Sequence, residues 1–100
     1  MRTVKSVECI CLSDEKPLTI GSSYQSDIFY QLNSEIKDTQ GIICYVNHEW
    51  MYYDDANSAT KLEYGDEIRM AGLWIKFLDK YLLVCAKEGD LRIATRKRRR

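Results

Sequence analysis

Residues 67–86 read EIRMAGLWIKFLDKYLLVCA, and this stretch decides the fold class. Polar and apolar residues alternate from Glu67 to Met70 and again from Leu73 to Leu78, which is the period of a half-buried strand. A third apolar run extends from Tyr81 to Ala86, and the dipeptides Ala-Gly and Asp-Lys separate the three runs as turns. Short strands joined by such tight turns pair in opposite directions, so this stretch predicts antiparallel β structure.

The rest of the chain shows the same short period, interrupted by polar segments. We expect loops at 22–26, 33–40 (with one irregular helical turn as its alternative) and 54–60, and further strands at 4–12, 18–20, 27–32, 41–47 and 49–53. The last two strands form a predicted hairpin around Asn47-His48, because Asn tolerates the positive φ of a tight turn. With no convincing helix, the sequence predicts an all-β fold, a β-sandwich or barrel of mostly antiparallel short strands.

Length and charge divide the chain into a body and a tail. One hundred residues suffice for one domain. The net charge is zero, yet residues 92–100 hold six of the fifteen basic side chains, and residues 1–91 hold nine against fifteen acidic ones. We therefore assign residues 1–90 to the domain and residues 91–100 to a basic tail or the start of a linker. An acidic body disfavours nucleic acid as the partner of the fold, because binding to a phosphate backbone needs a basic face.

The tail has three interpretations that the sequence alone leaves open. Its run from Arg96 to Arg100 fits a nucleic-acid arm, a polybasic patch facing anionic lipid, or a solvated end. A nucleic-acid arm predicts binding that collapses with salt and is lost when residues 92–100 are removed. No stretch resembles a signal peptide, and no apolar run approaches the ~20 residues that span a bilayer, so we expect a soluble chain.

The four cysteines, Cys9, Cys11, Cys44 and Cys85, lie in apolar runs with strand character. Cys9 and Cys11 are predicted on one face of one strand, because side chains two residues apart in a strand share a face. No C-x-x-C pair begins a zinc site, and the single histidine, His48, cannot complete one. We therefore expect buried thiols in a reducing cytoplasm rather than a disulfide or metal framework.

No set of residues in the sequence supports catalysis. A nucleophile needs a base and a group that orients the base, and His48 is predicted at an exposed turn tip. Asp54-Asp55 lacks the spaced ligands of a calcium loop and is interpreted as a solvated turn. The glycines are too scattered to cradle a phosphate, and the aromatic residues at strand spacing are interpreted as packing residues. We expect no enzyme activity, catalytic residue, metal, cofactor or small-molecule ligand.

Two motifs resemble the signatures of a forkhead-associated (FHA) domain. LTIGSS at 18–23 followed by SDI at 26–28 is similar to the family's first signature, an Ile-Gly-Arg strand end, a loop and an Asp-Ile pair. LEYGDEI at 62–68 is similar to the second signature, Leu-x-x-Gly-Asp-x-Ile, and an apolar strand follows it as in the family. The resemblance implies an FHA-like β-sandwich of eleven strands, whose loops at one end bind phosphothreonine peptides.

The residues that bind phosphate in the family are replaced in this chain. Ser22 stands where the family has Arg, and Lys37 and Gln40 stand where it has Ser and His. Asn57 is the one candidate for the Asn that holds the peptide backbone. A phosphate dianion selects a fixed guanidinium and several donors, whereas Lys37 offers one charge that Asp38 beside it partly cancels. We therefore expect phospho-independent protein binding, with a phosphothreonine pocket of non-standard build as the alternative.

The candidate partner-binding residues lie in three predicted loops. They are Ser22, Ser23, Tyr24, Gln25, Ser26, Lys37, Asp38, Thr39, Gln40, Asn57 and Ser58. Tyr24 is predicted to contact a partner, because an aromatic residue in a polar loop has little core to join.

The order of the motifs resembles that of degenerate FHA domains from one kind of protein. Such domains lie in tandem at the N-terminus of the membrane-anchored FtsK/SpoIIIE-type ATPase of the type VII (ESX/WXG100) secretion system, and the chain is most similar to the second of them. The resemblance implies a cytoplasmic piece of a longer bacterial protein, with other secretion components as partners. Membrane association then comes through the parent protein, and a basic tail near anionic lipid fits the positive-inside rule. The chain contains no Walker lysine motif, so no nucleotide chemistry is expected of it.

Overall fold

The computed structural model describes residues 6–32 and 36–94, which form ten β-strands. In chain order these are β1 (Ser6–Cys11), β2 (Leu18–Gly21), β3 (Ile28–Gln31), β4 (Gly41–Val46), β5 (Glu49–Asp54), β6 (Ala59–Lys61), β7 (Glu67–Met70), β8 (Leu73–Leu78), β9 (Tyr81–Ala86) and β10 (Asp90–Ile93). The described residues contain no helix, and hence none long and apolar enough to cross a membrane. The prediction of an all-β fold is confirmed.

The strands form two sheets that are almost entirely antiparallel. One sheet has four strands in the order β1-β9-β8-β7, and the other has six in the order β10-β3-β2-β4-β5-β6. Among the described pairs, β2 and β3 alone run parallel, with Ile20 opposite Ile28. The predicted excess of antiparallel pairing is therefore confirmed.

Tight turns join the strands where the sequence predicts them. β4 and β5 form a hairpin with Val46 opposite Glu49. The two residues between them, Asn47 and His48, have φ values of 51° and 66°. Positive φ at both central residues is typical of a type I′ turn, whose twist matches that of the flanking strands. The predicted hairpin is confirmed, and His48 is exposed at its tip.

Side chains from both sheets form one apolar core. Its largest fully buried members are Tyr30, Ile20, Ile28, Ile43, Leu73, Ile75, Leu82 and Val84. The rings of Trp50 on β5 and Phe77 on β8 have centroids 6.3 Å apart and link the two sheets. The Tyr30 hydroxyl lies 2.7 Å from the carbonyl oxygen of Ala71 and 2.9 Å from that of Glu88, so a residue of the six-stranded sheet contacts the β7–β8 turn of the other sheet and the β9–β10 connection between the sheets.

The predicted boundary between residues 90 and 91 needs correction, because β10 crosses it. β10 pairs antiparallel with β3, with Arg92 opposite Phe29. Leu91 and Ile93 alternate with charged residues and pack against the core. In the sequence this short alternation directly precedes the basic run, so the sequence-based prediction assigns both to the tail. The run itself, and residues 33–35 of the predicted loop 33–40, lie outside the described residues.

Two further expectations are corrected by the strand positions. The loop predicted at 54–60 ends sooner, because β6 begins at Ala59. The four thiols are free, but Cys9 and Cys11 are exposed rather than buried. β1 is an edge strand whose Ile10 faces the core, so Cys9 and Cys11 share the opposite face, as predicted, but that face is open to solvent. Cys44 and Cys85 are partly buried.

Candidate functional site

The three predicted loops lie at one end of the six-stranded sheet, because the strands that carry them end there. Ile20 near the end of β2 is opposite Gly41 at the start of β4. Gly41 is in turn opposite Asp54 at the end of β5. We name the segments that leave the sheet at this point the three-loop end: residues 22–26, 36–40 and 55–58.

Backbone hydrogen bonds join the first two loops directly. The amide of Ser22 donates to the carbonyl oxygen of Lys37 at 3.0 Å, and the amide of Ser23 donates to that of Asp38 at 3.2 Å. The amide of Gln40 donates to the carbonyl oxygen of Ile20 at 2.7 Å. These bonds continue the β2–β4 ladder into the loops, and they satisfy backbone groups that a loop would otherwise leave to water.

Gly21 determines how closely these two loops approach each other. A Cβ atom at Gly21 would overlap the backbone carbonyl oxygen of Asp38. Any larger residue would therefore push the 36–40 segment away from β2. The glycine of the Ile-Gly pair thus serves the packing of one loop on the other.

The serine hydroxyls of the first loop are mostly used within the protein. Ser22 Oγ and Ser26 Oγ donate to the backbone carbonyl oxygens of Ile36 and Asp38, at 3.0 and 3.4 Å. A hydroxyl has one proton, so neither serine retains a donor for a ligand. Ser23 Oγ accepts a hydrogen bond of 3.2 Å from the amide two residues later and keeps its own proton. One of the three serine hydroxyls can therefore donate outward.

Lys37, the cation predicted for this end, is held by a carboxylate of another loop. Its Nζ lies 2.8 Å from Asp55 Oδ2, with the two side chains 69% and 28% exposed. The hydrogen bond and the charge of Asp55 raise the pKa of Lys37, and the same contacts lower the pKa of Asp55. The expected cancellation of the Lys37 charge by Asp38 is thus corrected, because Asp55 is the partner.

Asp54 builds the third segment of this end. Its Oδ1 accepts hydrogen bonds from the amides of Ala56 and Ser58, both at 2.9 Å. Asn57 has a φ of 63°, a left-handed conformation in which Asn is enriched. The turn itself therefore explains this asparagine. The interpretation of Asp54-Asp55 as a merely solvated pair is corrected, because Asp54 caps the turn and Asp55 pairs with Lys37.

Tyr24 presents an open aromatic face at this end. Its side chain is 91% exposed, and its ring stacks on Phe29 with centroids 5.6 Å apart and 17° between the planes. Phe29 is 7% exposed although its neighbours Ile28 and Tyr30, rather than Phe29, face the core. The sequence signal for this stack is an apolar residue at the outward position of β3, and the sequence-based prediction did not include Phe29.

The remaining candidate residues lie at the same end of the six-stranded sheet. Gln25, Asp38, Thr39, Asn57 and Ser58 are exposed, and Gln40 is half-buried. Gln40 Oε1 accepts a hydrogen bond of 3.0 Å from the amide of Lys37. The structure thus brings the predicted residues to one end. In the part of the chain that the structure describes, no group of three or more His, Cys, Asp or Glu side chains is arranged to hold a metal ion.

Comparisons with known proteins identify no relative of the chain. No protein-family model matches it, and neither a characterised protein nor a solved structure matches it significantly. The functional assignment therefore rests on the residues of the three-loop end.

Proposed function

We propose that this chain is a non-catalytic, phospho-independent protein-interaction domain that binds a partner protein through the three-loop end. The observation that carries the proposal is the Lys37–Asp55 ion pair, formed between two of the three loops. It neutralises the cation on which a phosphate pocket would depend, whereas the ring of Tyr24 stays open to a partner.

The donor inventory of the three-loop end argues against a phosphate ligand. A phosphate dianion requires several charge-assisted donors at once. The hydroxyls of Ser22 and Ser26 already donate to backbone carbonyl oxygens. The carboxylates of Asp38 and Asp55 would also repel the dianion, and like charges brought together in an interface cost affinity. A phosphopeptide would have to break the Lys37–Asp55 contact of 2.8 Å before it gained a cation.

The arrangement around Tyr24 supports docking of a protein. Aromatic residues are enriched among the residues that dominate interface energetics. The stack on Phe29 restricts the Tyr24 ring before binding, so less conformational entropy is lost when a partner covers it. Gln25, Thr39 and Gln40 supply polar groups of the kind found at interface rims.

The setting that we propose rests on the sequence resemblance. The motifs at 18–28 and 62–68 are similar to those of FHA-like β-sandwich domains, and their degenerate form is similar to the tandem domains of the type VII secretion ATPase. In this setting the domain acts in assembly or recruitment at the cytoplasmic face of the membrane. Its partners are other secretion components, and the basic tail lies near anionic lipid.

An NMR titration tests phospho-independence. The isotopically labelled chain is titrated with a degenerate phosphothreonine peptide library and with its unphosphorylated counterpart. We expect no phosphate-dependent shifts in the amides of residues 22–26 and 37–40. Phosphate-dependent shifts confined to these amides would overturn the proposal and support the phosphothreonine alternative.

Site-specific crosslinking in the parent protein tests docking. A photoreactive amino acid replaces Gln25 in the three-loop end or, as the control, Lys80 in the turn between β8 and β9, and the crosslinked partner is identified by mass spectrometry. We expect a secretion component crosslinked at Gln25 and absent at Lys80. The same adducts at both positions, or none at Gln25, would contradict the assigned surface.

A further inference from the structure

A second candidate surface lies away from Tyr24, in a groove between the edges of the two sheets. β6 ends the six-stranded sheet and β7 ends the four-stranded one. Between them lies an open groove of about 490 Å³. All four residues of β7 line it, which makes the strand one wall of the groove along its whole length.

The backbone of β7 has an unpaired edge toward this side. Met70 and Leu73 flank the two-residue turn between β7 and β8, so they form a hydrogen-bonded pair, and such pairs alternate with non-hydrogen-bonded ones. Phe77 N donates to Asp66 O at 2.8 Å, which agrees with this alternation. Glu67 and Arg69 therefore direct their amide and carbonyl groups away from β8. Since the described chain has no strand on that side of β7, these groups can pair with an added strand.

The floor of the groove is apolar. Leu62 and Ile68 reach it as nearly buried side chains, 6% and 9% exposed, and Met70 and Tyr52 are partly buried beside them. Burial raises the pKa of Tyr52, and the charges of Asp54 and Asp55 raise it further, so this phenol stays neutral at physiological pH. Alternate side chains of an added strand would find an apolar floor there.

The rim of the groove carries a negative charge. Asp54 and Asp66 accept hydrogen bonds from backbone amides, which are neutral donors and supply no compensating positive charge. Glu67 is paired with Arg69, with Oε1 and Nη2 2.9 Å apart. Among the residues that the structure describes, the carboxylates of Asp54 and Asp66 have no cationic partner. Charge complementarity therefore favours a basic segment.

From the unpaired strand edge, the apolar floor and the acidic rim, we infer that this groove binds an extended, basic peptide segment that adds to β7 as a fifth strand of the four-stranded sheet. The occupant alternates basic residues, which face the rim, with apolar ones, which face Leu62 and Ile68. The groove borders the three-loop end at Gln40 and Asp54, but the inference rests on the edge of β7 and not on Tyr24 or the Lys37–Asp55 pair, so it holds or fails separately from the proposed function.

Peptide titrations followed by NMR test the inference on the intact chain. The probe is acetyl-Lys-Val-Lys-Val-Lys-Val-Lys-amide, and its control is the same peptide with an N-methyl group on every backbone amide, which preserves the charge and the side chains but removes every strand donor. We expect the largest shifts, and slowed amide exchange, at Glu67 and Arg69, with binding that weakens as salt is added. We expect the N-methylated peptide to bind about tenfold more weakly or worse, since it cannot donate hydrogen bonds to the edge of β7. Equal binding of the two peptides, or shifts that map elsewhere, would overturn the inference.

Two pairs of variants test the backbone hydrogen bonds of β7 and the negative charge of the groove separately. Arg69→Pro removes the outward amide of the edge strand without removing a bond to β8, whereas Arg69→Ala keeps that amide. We expect R69A to bind the Lys-Val peptide at least as tightly as the unaltered chain and R69P about tenfold more weakly. Glu67→Gln should weaken binding about twofold to threefold, and Glu15→Gln, the same charge change in the loop after β1, should not.

The affinities of the Arg69 variants decide whether the peptide adds to β7 as a strand. Equal affinity of R69A and R69P, both shown to be folded by their NMR spectra, would contradict strand addition. If R69P does not fold, the Lys-Val peptide and its N-methylated form are compared on R69A, and equal binding there would be just as decisive. Variants of the three-loop end play no part in this test, so failure here leaves the proposed function standing.

Discussion

Lys37 Nζ lies 2.8 Å from Asp55 Oδ2, and this contact joins two loops that are eighteen positions apart in the chain. It links the segment before β4 to the turn after β5 and neutralises the cation of the three-loop end. Because both side chains contact solvent, the pair affects the electrostatics of this surface more than the stability of the fold.

The first prediction concerns the titration of Asp55. Its pKa should lie below the ordinary value of 3.8, because Lys37 donates a hydrogen bond to it and attracts its negative charge. The stabilisation from this group is present above its ordinary pKa and is lost as the pH falls through the lowered pKa. NMR of the side-chain carboxyl carbon measures the midpoint directly.

Two substitutions test whether Lys37 is the cause of the lowered pKa of Asp55. Lys37→Met should return the Asp55 midpoint toward 3.8, the ordinary value. Lys61→Met removes a lysine that pairs with Glu49 and Glu63 and should leave Asp55 unchanged. A midpoint that is equally low in K37M would show that the ion pair is not formed in solution.

The second prediction concerns the ligand preference of the three-loop end. Asp55→Asn should release Lys37 and remove one repelling charge, so phosphate-dependent shifts should appear or increase in residues 37–40. Asp14→Asn, the same change in the loop after β1, should produce none. The peptide titration described above measures both variants, and identical behaviour of D55N and D14N would show that Asp55 does not control anion binding.

The third prediction concerns the packing of the loops on β2. Gly21→Ala should destabilise the fold by about 1–3 kcal/mol, because the new methyl group would overlap the Asp38 carbonyl and force the 36–40 segment outward. Gly65→Ala is the matched control. No atom lies within 4 Å of an added Cβ at Gly65, so its cost comes from its φ of +92° alone, about 1 kcal/mol.

Urea unfolding of both glycine variants gives the comparison. If Gly21→Ala is no more destabilising than Gly65→Ala, the close approach of the two loops is not maintained in solution. Shifts of the amides of Ser22 and Ser23, which donate to the 36–40 segment, should accompany the loss in Gly21→Ala.

The fourth prediction separates docking from stability at Tyr24. Tyr24→Ala should cost about 0.5–1.5 kcal/mol of stability, because it removes the stack on Phe29. It should also abolish the crosslink at Gln25. Tyr64→Ala, at a 71% exposed tyrosine outside the three-loop end, should leave the crosslink intact. Loss of the crosslink in both variants, or in neither, would contradict the role of Tyr24.

The fifth prediction concerns the thiols. Cys9 and Cys11 are exposed and should react with a maleimide pulse first. Cys44 should react slowest at neutral pH, since burial raises the pKa of its thiol and the thiolate is the reactive form. Mass spectrometry of tryptic peptides orders the sites. Labelling of Cys44 before Cys9 would contradict the described face of β1.

Much of this fold could be predicted from local sequence patterns. Alternation is a property of consecutive residues, so the strands between Glu67 and Ala86 could be predicted without knowing their neighbours. The hairpin at Asn47-His48 was predictable for the same reason, because the turn chemistry lies in two adjacent residues. The positions of the three loops followed from polar segments between strands.

The corrections concern properties that depend on distant partners. Cys9 and Cys11 have the same local pattern as a buried strand, yet they lie on the face of β1 opposite to the core-facing Ile10, so they are exposed. The short alternation of β10 can be recognised as a strand only from its pairing with β3. Burial depends on which elements cover a face, and a single strand does not contain that information.

The sequence by itself determined that the chain is all-β, where most of its strands and turns lie, and which three loops hold the candidate residues. Tertiary structure alone decided that Lys37 meets Asp55, that Tyr24 stacks on Phe29, and that β7 borders an acidic groove. Strand period and turn propensity arise from neighbouring residues, whereas ion pairs, stacks and grooves arise from sheet pairing between residues far apart in the chain.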